Sequence, residues 1–470
     1  MSIHEECGVF GVMAPEPVDV ATISYYGMYS QQHRGQESCG IVVNTNNAFV
    51  SHKDLGLVGD VFTKDVLANF PAATMAVAHT RYGTTGKSNR TNCQPIEVNH
   101  QKGRMALAHN GNLSNAAELR SALELSGAIF HTSSDTETIA YIITKERLQV
   151  PSIEEALSRA MYTMEGAYSL VLMTHQKLLC ARDPHGFRPL CYGKTPDGMY
   201  VIASESCAIR AVGAEFIRDV LPGEILIFSK NGDVVSRREH CGRQEKRLCV
   251  FEYIYFARPD SVIDGVSVHE ARLRAGAILA QTHPVDADIV IGVPDSGLDA
   301  ALGFSRKSGI PYGMGLIKNK YIGRTFIAPQ DRLAKVKLKL SAIENVVKDK
   351  RVVLVDDSIV RGTTSGQIVH LLREAGAKEI HMRVSAPPFL FPCYYGTDID
   401  SSENLIASKH TVEEIATIIG ADSLGYLPLD QLCELAGSHE YCNACFSGSY
   451  PTAIPLNVRK DLFDRFLSEI

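Results

Sequence analysis

No apolar run in the sequence approaches the roughly 20 residues that a membrane-spanning helix needs, so no span is predicted. Basic residues are not in excess either: the formal net charge is −6, which argues against a nucleic-acid surface or a basic membrane patch. The polar, acidic amino terminus lacks the features of a signal peptide. These absences predict a cytoplasmic protein with no nucleic-acid or membrane partner.

Disulfide bonds are not expected in that compartment, because cytosolic thiols are kept reduced. The 12 cysteines therefore need another explanation. The chain has 470 residues, of which 45% are hydrophobic, so it can bury full cores but is long for a single one. Division by about 150 residues per domain suggests about three structural units.

One stretch in the second half has the pattern of a phosphate-binding strand, loop and helix. The apolar run 352–355 is rich in β-branched residues and predicts a buried parallel strand. Asp356 and Asp357 follow, then a loop of small and hydroxyl residues, then a predicted helix at 367–374. Backbone N–H groups and the positive helix end converge on such a loop and bind phosphate. The carboxylate pair at the strand end suits a sugar diol or a Mg²⁺-bridged group.

This stretch resembles the phosphoribosyl pyrophosphate (PRPP) motif of type I phosphoribosyltransferases, which implies an α/β domain with a parallel sheet. The resemblance implies that Asp356 and Asp357 face the ribose hydroxyls and one Mg²⁺ per subunit. It also assigns PRPP binding to the loop residues Ser358, Ile359, Val360, Arg361, Gly362, Thr363 and Thr364. The alternative is a buried strand followed by a solvated acidic turn.

Two further segments of the second half resemble parts of the same domain. A strand predicted at 288–293 ends in the turn 294–297, and the resemblance gives Ser296 a contact to the metal. The segment 315–326 is basic and punctuated by glycine, which is typical of a lid over a polyanion. It resembles the PRPP flap of the family, which implies that Lys320 binds PRPP. The alternative for any single lysine there is a solvated surface loop.

In the first half, Cys7 stands out because only six residues precede it and small residues follow it. If residues 1–6 were removed, Cys7 would carry a free α-amine with a reference pKa of about 7.7–8.0. Such an amine can act as the base for the adjacent thiol. The alternative is a small buried hydrophobic residue, the usual role of a cysteine near a terminus.

Three polar segments lie at the ends of predicted strands or helices, where catalytic groups commonly sit. They are the segments 79–84, 109–112 and 133–137. Together with Cys7 and the segment 31–36, they resemble the class II glutamine amidotransferase domain. The resemblance implies an α+β N-terminal-nucleophile hydrolase fold, an αββα sandwich in which two antiparallel sheets lie between helices.

The resemblance also assigns a role to individual residues of these segments. Cys7 is the nucleophile that attacks the glutamine amide, and Asn110 and the N–H of Gly111 form the oxyanion hole. Arg81 binds the glutamine carboxylate, and Asp135 binds its α-ammonium group. The local alternatives are a hairpin turn at Asn110 and Gly111, a helix cap at Asp135 and a surface ion pair at Arg81.

Four cysteines of the second half form a candidate metal site: Cys249, Cys393, Cys442 and Cys445. The last two form a C-x-x-C pair, which by itself is compatible with zinc, a redox pair or no function. Four thiolates suit zinc and an iron–sulfur cluster equally by ligand type. Spacing does not separate these two, because two of the ligands are widely scattered along the chain.

The domain resemblances combine into one family, the glutamine PRPP amidotransferases or amidophosphoribosyltransferases, from Cys7 to about Pro451. One subgroup has cysteines at the four positions above and binds one [4Fe–4S] cluster per subunit. The implied reaction cleaves glutamine at Cys7 and channels ammonia to C1 of PRPP, which opens de novo purine synthesis. The family further implies purine nucleotides as feedback inhibitors and a homotetramer.

The resemblance and the polar stretch 229–247, which has no clear periodicity, predict three segments. They are a leader at 1–6, a glutaminase domain at 7–235 and a phosphoribosyltransferase domain at 236–470 that holds the cluster ligands. Two alternatives stay open: a PRPP-binding regulator without catalysis, and a glutaminase coupled to another acceptor. The retained glutaminase residues and the lack of an evident DNA-binding helix pair argue against the regulator.

Overall fold

The computed structural model describes residues 7–45, 48–82, 89–320, 338–399, 401–437 and 440–455. The predicted leader at 1–6 lies outside these residues, and so does Arg324 of the predicted lid. Lys318 and Lys320, which precede Arg324 in the same segment, are described.

Two antiparallel sheets form the first half of the chain. The first sheet has seven strands, in the spatial order Glu215–Asp219, Cys191–Lys194, Tyr200–Ala203, Gly8–Val18, Ala73–Arg81, Ser38–Thr45 and Ala48–Leu55. The second sheet has six, in the order Val234–Arg237, Ile225–Ser229, Lys177–Arg182, Gly166–Thr174, Gly103–Leu113 and Ile96–His100. β-Branched and other apolar residues dominate the central strands of both sheets, as buried pleated surfaces favour.

These two sheets pack face to face, and helices cover their outer faces. Val9 and Val77 of the first sheet share one buried cluster with Ala106 and Val171 of the second. The outer faces pack against the helices Val20–Ser30, Val58–Val61, Lys64–Ala68, Ser206–Ala211, Ala116–Leu125, Asp135–Gln149 and Ile153–Ala160. Because side chains alternate along a strand, one sheet can bury both faces in this way. The four layers confirm the predicted αββα sandwich.

A parallel sheet forms the centre of the second half. Its four strands follow the order Ile289–Gly292, Arg351–Asp356, Glu379–Val384 and Ser423–Tyr426. On one face, Val353 packs with the helices Val268–Thr282 and Gly297–Ser308. On the other face, Leu354 packs with the helix Thr363–Glu374. Burial on both faces explains why the strands read as continuous apolar runs.

Shorter elements complete the second half. Further helices are Glu344–Val347, Val412–Ile419 and Ala444–Ser447, with 3₁₀ turns at Ser402–Asn404, Ile406–Ser408 and Leu429–Leu435 and a π-helix at Glu252–Phe256. The first half has one further 3₁₀ turn at Arg90–Asn92. Short strand pairs are Leu248–Cys249 with Tyr441–Cys442, Val262–Ile263 with Val266–Ser267, and Leu316–Lys318 with Leu340–Ala342. Within the described residues, no helix is both long enough and apolar enough to cross a membrane.

The sequence predictions differ from the structure mainly at element boundaries. The helix predicted at 367–374 begins four residues earlier, at Thr363, because Gly362 adopts a φ of 76° and turns the chain into the helix. The strand Val234–Arg237 crosses the predicted domain boundary between 235 and 236 and pairs with Ile225–Ser229. The sheet of the first half therefore continues past that boundary.

Two glycines bring the helices Val268–Thr282 and Gly297–Ser308 into close contact. A Cβ on Gly276 would lie 1.8 Å from the carbonyl oxygen of Ala300, and a Cβ on Gly303 would lie 2.0 Å from that of Leu273. These obstacles are backbone atoms, which cannot yield as the end of a side chain does.

Gly276→Ala is therefore expected to lower the free energy of unfolding by about 1–3 kcal/mol, the usual cost of overpacking. Gly366→Ala is the matched helical control, since its Cβ would meet no atom closer than 3.6 Å. That control should stabilise the protein by up to about 1 kcal/mol through helix propensity. Urea unfolding followed by circular dichroism measures both variants, and an unchanged midpoint for Gly276→Ala would contradict the close packing.

Candidate active sites

Cys7 lies just before the first strand, beside the strand that carries Arg81. Gly8 pairs with Thr80 in the antiparallel register, and this pairing brings Cys7 next to Arg81. The residue is 7% exposed, and its Sγ lies 3.5 Å from the carbonyl oxygen of Tyr82. The Nε of Arg34 donates to the carbonyl oxygen of Cys7 over 3.3 Å. The predicted nucleophile is thus fixed through both its backbone and its thiol.

Asn110 lies inside the strand Gly103–Leu113, so the alternative of a hairpin turn is wrong. It is 1% exposed, and among the described residues neither its Oδ1 nor its Nδ2 has a hydrogen-bond partner. An unpaired buried amide costs about 1–3 kcal/mol, so a ligand atom is a natural partner for it. The Nε2 of His79 bonds to the carbonyl oxygen of His109 over 3.0 Å, which joins this strand to the one carrying Arg81.

Gly111 is confined to glycine by its surroundings. Its φ is 140°, and an added Cβ would lie 2.2 Å from the carbonyl oxygen of Ala167 on the neighbouring strand. Any larger residue would push Asn110 and its strand out of register. The backbone at the predicted oxyanion hole therefore depends on this glycine.

Arg81 and Asp135, the two residues predicted to bind the ends of glutamine, are both buried. The Oδ2 of Asp135 accepts from the N–H of Leu113 over 3.0 Å, and its Oδ1 lies 3.5 Å from Nδ1 of His109. Burial by itself raises the pKa of Asp135, but the charge of His109 and these hydrogen bonds outweigh it and lower the pKa. The carboxylate thus stays ionised, as binding an ammonium group requires.

The alternative of a helix cap in the segment 133–137 describes Ser134 rather than Asp135. Ser134 is the N-cap of the helix Asp135–Gln149, and its hydroxyl accepts from the N–H of Thr136 over 3.3 Å. Asp135 is the first residue inside the helix and turns its carboxylate toward Leu113. The ion-pair alternative for Arg81 fits poorly, because its side chain is 3% exposed and its NH1 is 4.0 Å from Glu37.

The second site lies at the carboxyl end of the parallel sheet. Asp356 ends the central strand, and the N–H of Asp357 donates to its Oδ1 over 2.9 Å. Ser296 and Ser358 both donate hydroxyl hydrogen bonds to the carboxylate of Asp357. Ser296, predicted to contact the same metal as the two carboxylates, is therefore adjacent to them.

A cavity of about 340 Å³ opens above this pair. Its lining includes most of the predicted PRPP loop: Ser358, Val360, Arg361, Gly362, Thr363 and Thr364. Ile359 is 2% exposed and packs in the core, so it offers the cavity only its backbone. Lys318 and Lys320, the predicted ligand, are both exposed. Lys318 is among the residues that line the cavity, and it pairs with Asp295 over 2.7 Å.

Both carboxylates of the pair resist ionisation. Burial raises the pKa of Asp356 well above its usual value, and repulsion from Asp357 raises it further. Burial also raises the pKa of Asp357, against the hydrogen bonds from Ser296 and Ser358 that lower it. A bound divalent cation would offset both the burial and the repulsion.

The four cysteines of the second half converge in space. Cys249 and Cys442 are register partners in a short parallel strand pair. Burial raises the pKa of the Cys445 thiol, and Cys393, Cys249 and Cys442 raise it further through their own charges. Among the described residues, no group of three or more His, Cys, Asp or Glu side chains is arranged to hold a single metal ion.

A buried polar network connects the two sites and was not assigned from the sequence. Arg34 donates to Glu205 and, over 2.7 and 2.9 Å, to Glu252. Arg188 lies 3.5 Å from Glu252, and all four side chains are completely buried. His33 donates from Nε2 to Glu205 over 2.7 Å and also lines the cavity above the aspartate pair.

The sequence contained a signal for only part of this network. His33 and Arg34 belong to the segment 31–36, which contributes to the family resemblance, but the resemblance implies no role for either residue. Glu205 and Glu252 lie 171 and 218 positions from Arg34, so only the fold reveals the pairing. Arg188, 64 positions before Glu252, joins the network in the same way.

Comparisons with known proteins match both halves of the chain. A family model described as a glutamine amidotransferase domain matches residues 79–211. A second model, described as a phosphoribosyl transferase domain, matches residues 269–388. The two matches follow the order of the sandwich and the parallel sheet.

Similar proteins extend over nearly the whole chain. It is 47% identical to an amidophosphoribosyltransferase of Methanocaldococcus jannaschii, over 95% of this chain and 98% of that protein. It resembles the solved glutamine PRPP amidotransferase from B. subtilis complexed with ADP and GMP, with a TM-score of 0.89, 45% identity, and 96% and 99% of the two chains covered. It also resembles a solved structure described as the allosteric regulatory enzyme of purine biosynthesis. The TM-score is 0.91 at 45% identity, and the match covers 98% of this chain and 100% of the other.

The raised pKa values of the aspartate pair predict an effect on stability. At pH 7.5, with cations removed by EDTA, Asp356→Asn should unfold at a higher temperature than the parent. The substitution removes one charge from a buried, repelling pair and keeps the oxygen that accepts from the N–H of Asp357. Below its raised pKa the parent aspartate is itself neutral, so the advantage should shrink as the pH falls.

Thermal unfolding between pH 7.5 and 5 measures this difference. Asp65→Asn, an exposed position on the helix Lys64–Ala68, is the control and should shift the melting temperature little at any pH. A lower melting temperature for Asp356→Asn at pH 7.5 would show that the ionised pair is not a source of strain.

Proposed function

The chain belongs to the amidophosphoribosyltransferase family, and we propose on that premise how its residues divide the reaction between the two sites. The enzyme transfers the amide nitrogen of glutamine to C1 of PRPP and releases glutamate and pyrophosphate. The product is 5-phosphoribosylamine, in the first step of de novo purine synthesis. The position of His33 is the observation that best supports a reaction shared by the two sites. This residue belongs to the first half of the chain but lines the cavity of the second half.

In the first site, Cys7 is the nucleophile. Its thiolate attacks the side-chain carbonyl of glutamine, while Asn110 and the N–H of Gly111 bind the oxygen that becomes negative. The amide of Asn110, which has no hydrogen-bond partner within the described part of the chain, supports this role. The α-amine of Cys7, free once residues 1–6 are removed, takes the thiol proton and returns it to the leaving ammonia. Water then hydrolyses the thioester to glutamate.

Arg81 and Asp135 orient glutamine for this attack. Arg81 offers a planar fork of donors to the α-carboxylate. Asp135, whose pKa is lowered, offers a charged acceptor to the α-ammonium group. Both side chains are buried, so water competes weakly for either contact.

In the second site, ammonia displaces pyrophosphate from C1 of PRPP. Asp356 and Asp357 bind the ribose hydroxyls, and the loop from Ser358 to Thr364 binds the 5′-phosphate with its N–H groups and hydroxyls. Lys318 is the proposed contact to the pyrophosphate, because it lines the cavity. A path inside the protein keeps ammonia from protonation and dilution in water.

The donor set around the aspartate pair fits Mg²⁺. Asp356, Asp357 and Ser296 supply hard oxygen atoms, and a bound cation would offset the burial that raises the pKa of both carboxylates. When bound there, one Mg²⁺ per subunit would offset the charge of the leaving pyrophosphate.

The four cysteines are the proposed ligands of a [4Fe–4S] cluster, with one thiolate per iron. The effect of Cys249, Cys393 and Cys442 on the pKa of Cys445 supports the proximity of these four thiols. Four thiolates suit zinc equally by ligand type, so metal analysis distinguishes the two. Cys249, Cys393, Cys442 and Cys445 would hold the cluster, which would tie the segments 248–249, 393 and 442–445 together.

The proposals for the regulation and the oligomeric state of this enzyme are based on similar proteins. The B. subtilis structure holds ADP and GMP, so purine nucleotides are the proposed inhibitors of this enzyme. The homotetramer and the cytoplasmic location stay predictions from the family and from the composition.

Two variants separate the half-reactions. Cys7→Ala should lower glutamine-dependent synthesis by more than about a thousandfold, because the nucleophile is gone. Its synthesis from ammonium chloride should stay within about twofold of the parent. Asp356→Asn combined with Asp357→Asn should abolish synthesis from either nitrogen source. Pyrophosphate release from PRPP measures all of these rates, and loss of both activities in Cys7→Ala would contradict separate sites.

Cys442→Ser should remove the cluster. Protein purified without oxygen is expected to lose its brown colour, iron and acid-labile sulfide in this variant. Cys433→Ser is the matched control, since Cys433 is a free, half-buried cysteine outside the group of four, and it should keep all three. Iron, sulfide and zinc are assayed per subunit. A parent protein that is active, colourless and loaded with zinc would refute the cluster.

A further inference from the structure

The strand Gly103–Leu113 loses the neighbour on one of its edges just before the predicted oxyanion hole. Its pairing with the strand Ile96–His100 ends at Ile96 and Leu107. If this register continued, His109 would pair with residue 94. His109 is 2% exposed, and buried backbone N–H and C=O groups are rarely left without partners. The backbone of His109 therefore needs other partners on this edge.

Two buried side chains take the place of the missing strand. The Oε1 of Gln94 accepts a hydrogen bond from the N–H of His109 over 2.8 Å. The Nε2 of His79 donates to the carbonyl oxygen of His109 over 3.0 Å. Gln94 is 3% exposed, and His79 is completely buried. Both backbone groups of His109 are thus held by side chains that solvent does not reach.

The backbone around Gln94 is itself fixed by other contacts. An added Cβ on Gly40 would lie 2.3 Å from the carbonyl oxygen of Gln94, so this oxygen packs against the first sheet. Pro95 follows and has no N–H to donate. The side chain of Asn92 donates to the hydroxyl of Ser133 over 2.8 Å and accepts from its N–H over 3.0 Å. The side chain of Gln94 therefore extends from an anchored segment.

His79 serves as a donor of fixed charge. A carbonyl oxygen can only accept, so the Nε2 of His79 carries the ring proton. Burial lowers the pKa of His79 to about 3, so the ring stays neutral near pH 7. Its Nδ1 has no hydrogen-bond partner among the residues that the structure describes. The contribution of this ring is therefore the hydrogen bond that it donates to His109.

The backbone of His109 leads directly into the proposed oxyanion hole. Asn110 is the next residue of the strand, and Gly111 follows it. N–H groups two residues apart in a strand face the same edge, so the N–H of Gly111 lies on the edge that is held at His109. Oxyanion-hole donors must lie about 2.7–3.1 Å from the developing charge, and loss of one lowers kcat by about 10²–10³-fold.

We propose that Gln94 and His79 are positioning residues that orient the oxyanion hole by holding the two backbone groups of His109. The inference rests on the proposed function of the first site and deepens it, because it names residues outside the reacting groups that set the rate. Neither side chain transfers a proton or contacts the reacting carbonyl. Loss of either contact should lower the turnover of bound glutamine rather than its binding, since only the transition state needs the aligned donors.

The test compares Gln94→Met, His79→Leu and His79→Gln in the full-length enzyme. Methionine at position 94 keeps the length of the side chain but removes the accepting oxygen. Leucine at position 79 removes the donor, whereas glutamine at the same position returns an N–H of similar reach. The last variant therefore tests whether the hydrogen bond, rather than the ring, is required.

Asn44→Leu is the matched control for a loss of stability. Asn44 is 4% exposed and donates to the carbonyl oxygens of Thr174 and His175 over 3.1 and 3.0 Å, so it also joins the two sheets through a buried side chain. It pairs with Met75, six residues before Arg81, which places it roughly 20 Å from the glutamine site along the strand.

Three quantities are measured for each variant: kcat and KM for glutamate release with PRPP present, synthesis from PRPP and ammonium chloride, and the melting temperature. Gln94→Met and His79→Leu should each lower kcat by about 10- to 100-fold, with KM for glutamine within about threefold of the parent. His79→Gln should keep kcat within about fivefold of the parent. Asn44→Leu should keep kcat within about twofold even where its melting temperature falls.

Synthesis from ammonium chloride should stay within about twofold of the parent in all four variants, because the second site does not use these residues. A parental kcat in both Gln94→Met and His79→Leu would overturn the proposal. A raised KM at unchanged kcat would also overturn it, and so would an equal fall of kcat in Asn44→Leu or an equal loss of ammonia-dependent synthesis. A parent that releases no glutamate from glutamine would refute the proposed function itself, a result distinct from these.

Discussion

The completely buried guanidinium of Arg34 is the constraint on which the rest of the molecule depends. It lies between two carboxylates, Glu205 from the sandwich and Glu252 from the second half, and it holds the carbonyl oxygen of Cys7. Arg188 lies close to Glu252, so the buried group contains two positive and two negative side chains. Their charges compensate one another where water has no access. Such a group tolerates little movement, because any separation exposes an uncompensated charge to a low dielectric. The two halves are thus joined next to the backbone of Cys7, the proposed nucleophile.

Each of the two proposed catalytic centres, by contrast, contains polar groups that are not compensated by their surroundings. Asn110 has no hydrogen-bond partner for its amide among the described residues, and Asp356 and Asp357 are forced together with raised pKa values. These groups lower the stability of the folded protein when no ligand is bound, and ligand binding offsets that loss of stability. The compensated charges around Arg34 thus stabilise the structure, whereas the uncompensated groups are the ones proposed to bind substrates.

The segments near the four cysteines also connect the halves. Asn112, two residues after Asn110, donates to the carbonyl oxygen of Tyr394 over 2.9 Å, and Arg188 donates to that of Tyr395 over 2.8 Å. Phe187 stacks on Tyr395 with ring centroids 4.2 Å apart. The proposed cluster would fix Cys393 and would therefore also steady the strand that carries the proposed oxyanion hole.

The sequence by itself determined the local elements and their chemistry. The continuous apolar run before Asp356 predicts a strand, and the loop of small residues after Asp357 predicts a turn. The two carboxylates between them predict a ligand-binding position. All three patterns fall within about 15 consecutive residues, because each depends only on neighbours in the chain. The order of the motifs likewise predicted Cys7, Arg81, Asn110 and Asp135 as the residues of the glutaminase site. Only the tertiary structure decided that Asn110 lies within a strand, that Lys318 rather than Lys320 lines the cavity, and that Arg34 meets Glu252. Those outcomes depend on contacts between residues far apart in sequence, and burial and charge balance in the folded core select among pairings that local patterns leave equal.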